Sequence, residues 1–132
     1  MNEHSDEVQS IKDTITLYID GVHNGDVEML RKAFHPEAMM YGANPNNITI
    51  VKIQGLYDFV SANTPLSQTN EPHQCFITSI QHAGNAASIE MIEESAYGNN
   101  YTNYFHLLKI DGTWLIVSKT YNSTPLANQF IK

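Results

Sequence analysis

Carboxylates and imidazoles are the groups in this sequence that could move protons. Glu90, Glu93 and Glu94 fall in one short segment. If that segment is a strand, Glu90 and Glu94 share one face and Glu93 takes the other. Any one of the three could be a general base in a pocket, and the others would then be solvated acids on an outer face. His35 is the histidine best placed for chemistry. It precedes Pro36 at the expected end of a helix, and an imidazole exchanges its proton near neutral pH; a helix-terminal histidine equally serves the last-turn carbonyls and the dipole. The catalytic candidates are therefore His35 and Glu93. His4 lies near the N-terminus, and His73 and His82 near strand ends. No pair of histidines stands as His-x-x-x-His, and no His-Glu-x-x-His occurs, so the expectation is no bound metal. Cys75 is the one cysteine, which excludes an internal disulfide framework and a multi-cysteine metal site. No activating base is evident beside it.

These residues must be positioned by elements that the hydropathy pattern makes legible. Val8, Ile11, Ile15, Tyr18, Ile19 and Val22 recur at helical spacing, predicting a helix from Asp6 to His23 with Ser5 as N-cap. Asn24-Gly25 stops it, and Asp26 caps a second helix carrying Met29, Leu30, Ala33 and Phe34 that ends near His35. Short strands follow at Ala38 to Tyr41 and Ile48 to Ile53, around the Asn44-Pro45-Asn46-Asn47 turn. Gly55 admits a third helix with Leu56, Phe59 and Val60 on one face, ending before Pro65. The second half alternates as strands: Gln74 to His82, Ala86 to Tyr97, Tyr101 to Ile110 and Thr113 to Tyr121. They are joined by turns at Gly84-Asn85, Gly98-Asn99-Asn100 and Asp111-Gly112. Helices ahead of a meander predict one α+β domain, with a core over about residues 6–122 and a C-terminal tail at 123–132.

The Asp111-Gly112 hairpin predicts a register that pairs Lys109 with Trp114, Leu107 with Ile116, Phe105 with Ser118 and Asn103 with Thr120. The opposite face then holds Tyr104, His106, Leu108, Leu115, Val117, Lys119 and Tyr121. Both faces are substantially apolar, so the outer one is expected to be covered by a second subunit. The register across the Gly98-Asn99-Asn100 turn stays open. A two-residue loop puts Glu90 and Glu94 beside Asn103, and a three-residue loop puts Glu93 there.

The 132 residues suffice for one domain and carry a formal charge of −7, with Arg31 the only arginine. Phosphate backbones call for clustered Arg and Lys, so nucleic acid is not the expected partner. No apolar run is long enough for a membrane span, and the acidic start does not read as a signal peptide. A cytoplasmic location is expected. The Asn-x-Thr sequons at Asn47, Asn100 and Asn122 are read as chance.

Several blocks resemble a known family. They are Tyr18-Ile19-Asp20-Gly21, Gly25-Asp26, Ala33-Phe34-His35-Pro36-Glu37-Ala38 and the run from Tyr101 to Lys119 with its Leu107-Leu108-Lys109 and Gly112-Thr113-Trp114 segments. Over about residues 7–122 the chain resembles the NTF2-like (SnoaL-like) α+β cone proteins, most closely the branch called "putative lumazine-binding". The resemblance implies a curved antiparallel sheet wrapped around three helices, an open-mouthed pocket, and commonly a homodimer through the sheets. The fold hosts isomerases, dehydratases, cyclases and pure binding proteins, so it selects no reaction. Relatives of this branch often carry Asp where this chain has Asn103, and a carboxamide can orient a ligand but cannot titrate.

Tyr18, Tyr41, Phe59, Phe76, Phe105 and Trp114 come from segments that would face the cone interior, as core or as pocket wall. With Asn103 as the orienting polar group they form the expected ligand-binding set. The leading expectation is a small-molecule binding protein, with a flat heteroaromatic ligand and no cofactor. The alternative is an isomerase or dehydratase in which a pocket Glu or His35 moves a proton.

Overall fold

The stripe Ile11, Ile15, Tyr18 and Val22 forms the first element. In the computed structural model, which describes residues 3–127, it runs along α1 (Glu3–Asn24) and is wholly buried. Because the helix begins ahead of Asp6, Ser5 lies within it and does not cap it. The side chain of His4 and residues 128–132 of the expected tail lie outside the described residues. α2 (Val27–Ala33) is capped as expected by Asp26, whose carboxylate accepts the Met29 N–H at 3.1 Å. It ends at Ala33, ahead of the expected stop near His35, because Phe34 is already extended at φ −109°, ψ 143°.

β1 (Phe34–Asn44) and β2 (Asn47–Lys52) form a hairpin that leads into α3 (Gln54–Ala62). A 3-10 turn at Leu66–Gln68 precedes β3 (Gln74–Ala83), β4 (Ala86–Ala96), β5 (Asn99–Ile110) and β6 (Thr113–Pro125). The six strands form one curved, open sheet in the order β2-β1-β6-β5-β4-β3. The fold is an α+β cone, but the sheet is mixed and not antiparallel throughout: β1 pairs with β6 in parallel. That pairing closes the chain's first and last strands side by side after the long connection such a pair requires. β6 also continues to Pro125, so the start of the expected tail is strand. The inner sheet face, with Ile89, Met91, Phe105, Leu107 and Ile116, packs on Ile11, Ile15, Leu30 and Leu66 as one core. No helix among the described residues is long and apolar enough to cross a membrane.

Two bulges decide which polar groups face inward. Lys109↔Trp114 and Leu107↔Ile116 pair as expected, but the register then shifts: Phe105 lies opposite Lys119 and Asn103 opposite Tyr121, replacing the expected Ser118 and Thr120. Val117 is the extra residue, and an extra residue reverses the alternation beyond it. Lys119 therefore turns inward to 3% exposure. The second bulge follows Glu93, where Ser95 has φ 58°, and the turn itself is Tyr97-Gly98, with Asn99 already in β5. Glu93 consequently lies opposite Tyr101 on the inner face, and Met91 opposite Asn103. Glu90 faces outward, where its carboxylate accepts the Thr78 hydroxyl at 2.9 Å, and Glu94 is exposed.

Candidate functional site

A cavity of about 320 Å³ opens between α1, α3 and the inner sheet face. Its wall includes Tyr18 and Val22 from α1, Leu56 and Phe59 from α3, Glu93 and Tyr97 at the end of β4, and Tyr101, Lys119 and Tyr121 from β5 and β6. This volume is at the small end of the range for ligand sites.

A continuous hydrogen-bonded chain runs from that wall into the core behind it. Glu93 Oε1 accepts the Tyr18 hydroxyl at 2.9 Å and the Asn103 Nδ2 amide at 3.1 Å. Glu93 Oε2 is 2.8 Å from His73 Nε2, and His73 Nδ1 is 3.0 Å from His23 Nδ1 across two stacked rings. Lys119 Nζ donates to Asn103 Oδ1 at 3.0 Å. These contacts fix one another. An ionised carboxylate only accepts, so Asn103 must present its NH₂ to Glu93 and hence its carbonyl to Lys119.

The electrostatics of the two buried charges differ. Burial pushes the Glu93 carboxyl up, but the His73 hydrogen bond, the Lys119 and His73 charges and the Tyr18 hydroxyl outweigh it, leaving Glu93 below its ordinary value. Lys119 moves the other way: burial, only partly offset by the Glu93 charge, brings it down to about 8. No carboxylate among the described residues lies within 4.0 Å of its nitrogen. It sits instead over the Tyr121 ring at 4.2 Å, with the Tyr18 and Tyr101 rings at 5.7 and 5.9 Å. Glu93 is thus a fully engaged anion and a poor base. Lys119, brought down toward neutral pH by burial, is the cavity-wall amine that can give up and take back a proton.

The Tyr121 ring has room because β1 offers Gly42 opposite it; a methyl there would overlap the ring. Tyr97, stacked edge-on against Phe59 at 4.8 Å, carries a buried hydroxyl with no hydrogen-bond partner among the described residues. An unpaired buried hydroxyl costs ~1–3 kcal/mol, a cost that a ligand acceptor would relieve.

The expected site residues separate into groups. Tyr18 and Phe59 line the cavity. Asn103, fully buried, joins Glu93 to Lys119 directly behind it, and Phe105 packs edge-on against Tyr18 at 5.0 Å as core. Tyr41 and Phe76 lie on the other sheet face, Phe76 47% exposed, and neither borders the cavity. Trp114 is buried at the far end of the sheet, where its Nε1 donates to Glu7 and its ring lines a separate groove. His35 belongs to β1, away from the cavity, and its Nδ1 accepts the Glu37 N–H at 3.0 Å, so it does not serve the last-turn carbonyls of α2.

Lys119, Tyr97, Tyr101, Tyr121, His23 and His73 were not expected in the site. Parity carried a signal for Glu93, which stands in phase with Ile89 and Met91. Lys119 gave none, because the bulge that turns it inward has no sequence mark. His73, Cys75 and Glu93 also bring potential metal-ligand atoms within 4.8 Å of one another, a convergence that spacing does not reveal. In the described structure His73 Nε2 is already committed to Glu93, and burial raises the Cys75 thiol far above its ordinary value.

The sequence profile of the family described as "Putative lumazine-binding" matches residues 6–122. The aldolase FrzH of Cladobotryum sp is 27% identical over 124 residues, covering 92% of this chain and 94% of that protein. Among solved structures, an NTF2-like protein of unknown function from Shewanella baltica superposes with TM-score 0.85 at 29% identity, covering 95% of this chain and 99% of the other. A second, from Methylobacillus flagellatus, gives TM-score 0.81 at 28% identity, covering 89% and 92%.

Proposed function

The chain belongs to the "Putative lumazine-binding" family of NTF2-like domains, and we propose that in this member the cavity takes a small carbonyl-bearing organic molecule and transfers protons at it without a resident cofactor. The observation that carries this reading is Lys119: a buried amine at the cavity wall, hydrogen-bonded to a neutral carboxamide and unpaired with any carboxylate among the described residues. Such an ammonium can donate to a carbonyl oxygen, and the amine it leaves can accept a proton from the adjacent carbon. Tyr97 offers a second donor, and Glu93 with Tyr18 holds Asn103 in the orientation that receives Lys119. The name of the FrzH relative, an aldolase, belongs to the same carbonyl chemistry.

The test is hydrogen–deuterium exchange at the carbons beside the carbonyl of cyclohexanone in D₂O, followed by proton NMR. The protein should accelerate exchange, and Lys119→Met should abolish the acceleration. Equal rates with both proteins would overturn the reading.

The five aromatic rings of the wall support a second reading, a binding site for a flat heteroaromatic such as a pteridine or flavin. Stabilisation by lumazine at one per chain, equal in the protein and Lys119→Met, would favour binding without chemistry. A homodimer through the outer sheet face is also proposed. Phe76, Tyr104 and Leu108 are exposed there, with Leu115 and Val117 half-buried between strands, and one copy of this apolar face suits another.

A further inference from the structure

We propose that Lys119 is also a covalent nucleophile, capturing an aldehyde or ketone in the cavity as a Schiff base. The inference rests on the reading that carbonyl compounds enter this cavity. Three observations lead to it.

The first is the surroundings of the nitrogen. An amine attacks a carbonyl only when it has lost its proton, and water or a paired carboxylate keeps most lysines charged. Around Lys119 Nζ no carboxylate of the described residues stands within 4.0 Å and little water reaches it. The Tyr18, Tyr101 and Tyr121 ring faces and the Asn103 carbonyl favour the ammonium, and it is burial that favours the neutral amine over them. Glu93, the charged group behind them, is engaged by Tyr18, Asn103 and His73. The second is place: Lys119 is 3% exposed and forms part of the cavity wall, so it borders the cavity without standing in bulk water. The third is the disposition of the donors. Tyr97, whose buried hydroxyl has no partner among the described residues, belongs to the same wall. A hydroxyl donor at the carbonyl oxygen would stabilise the negative charge that develops there on attack.

The step balances without an oxidant or reductant. Neutral Nζ forms a bond to the carbonyl carbon as the C=O π pair moves to oxygen. The nitrogen gives up one proton and the oxygen takes up one, giving a carbinolamine, whose remaining N–H proton leaves with the hydroxyl in the next step. Loss of that hydroxyl as water leaves the imine, with one water released per bond formed. Protonation of the imine nitrogen then makes the neighbouring C–H more acidic than in the free ketone, which deepens the proton-transfer reading of the same site.

The experiment traps the imine. Full-length protein is incubated with cyclohexanone and sodium cyanoborohydride at pH 7.5, and the adduct is located by peptide mass spectrometry. At that pH an amine titrating near 8 has on the order of 100-fold more neutral form than an ordinary lysine. One cyclohexyl group should therefore appear at Lys119 at least tenfold faster than at Lys12, Lys32 or Lys52. Lys119→Arg should lose the fast modification and keep the slow ones. Unfolding the protein in urea should equalise all sites. Slow labelling spread over the surface lysines, with Lys119 unmodified, would overturn the proposal. If Lys119-dependent deuterium exchange persists in that case, only the covalent step has failed; if exchange is absent as well, the carbonyl reading of the cavity fails with it.

Discussion

Replacing Lys119 by Met removes a buried charge while keeping the length of the side chain, and the site predicts how the consequence depends on pH. In the unfolded chain lysine titrates at its ordinary 10.5, and in the folded cavity at about 8. At roughly 1.4 kcal/mol for each pH unit between the two, the difference amounts to ~3 kcal/mol. Below pH 8 the lysine is protonated in both states, and the folded protein bears the full cost of a buried ammonium. Between 8 and 10.5 the unfolded chain binds a proton that the folded chain does not, so stability rises with pH. Above 10.5 there is no further gain.

The groups facing Lys119 are Glu93 from β4, Asn103 and Tyr101 from β5, Tyr18 from α1 and Tyr121 on its own strand. Burial raises all three of these tyrosines, which lowers stability above pH 10 in both proteins and cancels in their difference. Urea unfolding of the protein and of Lys119→Met, at intervals from pH 7 to 10.5, is the assay. The protein should gain about 3 kcal/mol on the variant across that range, with most of the change above pH 8. Parallel stability curves would mean that Lys119 is solvated and charged throughout, and would refute the reasoning.

Tyr18→Phe removes a hydrogen bond to the ionised Glu93 and should cost ~1–3 kcal/mol at pH 7 in urea unfolding. Because Glu93 is lowered in the folded state, that difference should be present above its ordinary 4.5 and vanish as pH falls through the lower folded value; a cost independent of pH would contradict the assignment. Gly42→Ala would drive a methyl into the Tyr121 ring and should lower stability by ~1–3 kcal/mol, while weakening lumazine or cyclohexanone binding in thermal-shift assays. Unchanged stability and binding would show that the ring is not held over the cavity. Leu115→Lys and Val117→Lys place charges on the outer sheet face and should convert a dimer to a folded monomer in light scattering. An unchanged dimer would move the interface elsewhere.

Most of the fold was legible because apolar spacing records which face is buried. The stripe Ile11, Ile15, Tyr18, Val22, the Asp26 cap and the Asp111-Gly112 turn each specify their element locally. The parallel pairing of β1 with β6 was not legible, since partners so far apart in sequence leave no local pattern. The site was legible only in part. Tyr18, Asn103 and Glu93 could be singled out, but the hydrogen bonds joining them depend on the bulge at Ser95. The bulge at Val117 had a larger effect: it carried Lys119 and Tyr121 from the expected outer face to the cavity. Alternation read straight through a bulge inverts every residue beyond it. Trp114 and Phe76 illustrate the converse, since a large aromatic residue signals burial or contact but not at which end of the cone.

The central claim is that a buried, uncharged-capable amine stands at the cavity wall. It is tested most directly by titrating the protein with ¹³Cε-labelled lysine from pH 6 to 11 and following each ε-carbon by NMR. The signal lost in Lys119→Met should titrate near 8, apart from the other lysines, and should shift when cyclohexanone is added. A Lys119 signal that titrates with the rest near 10.5 and ignores the ketone would contradict the account.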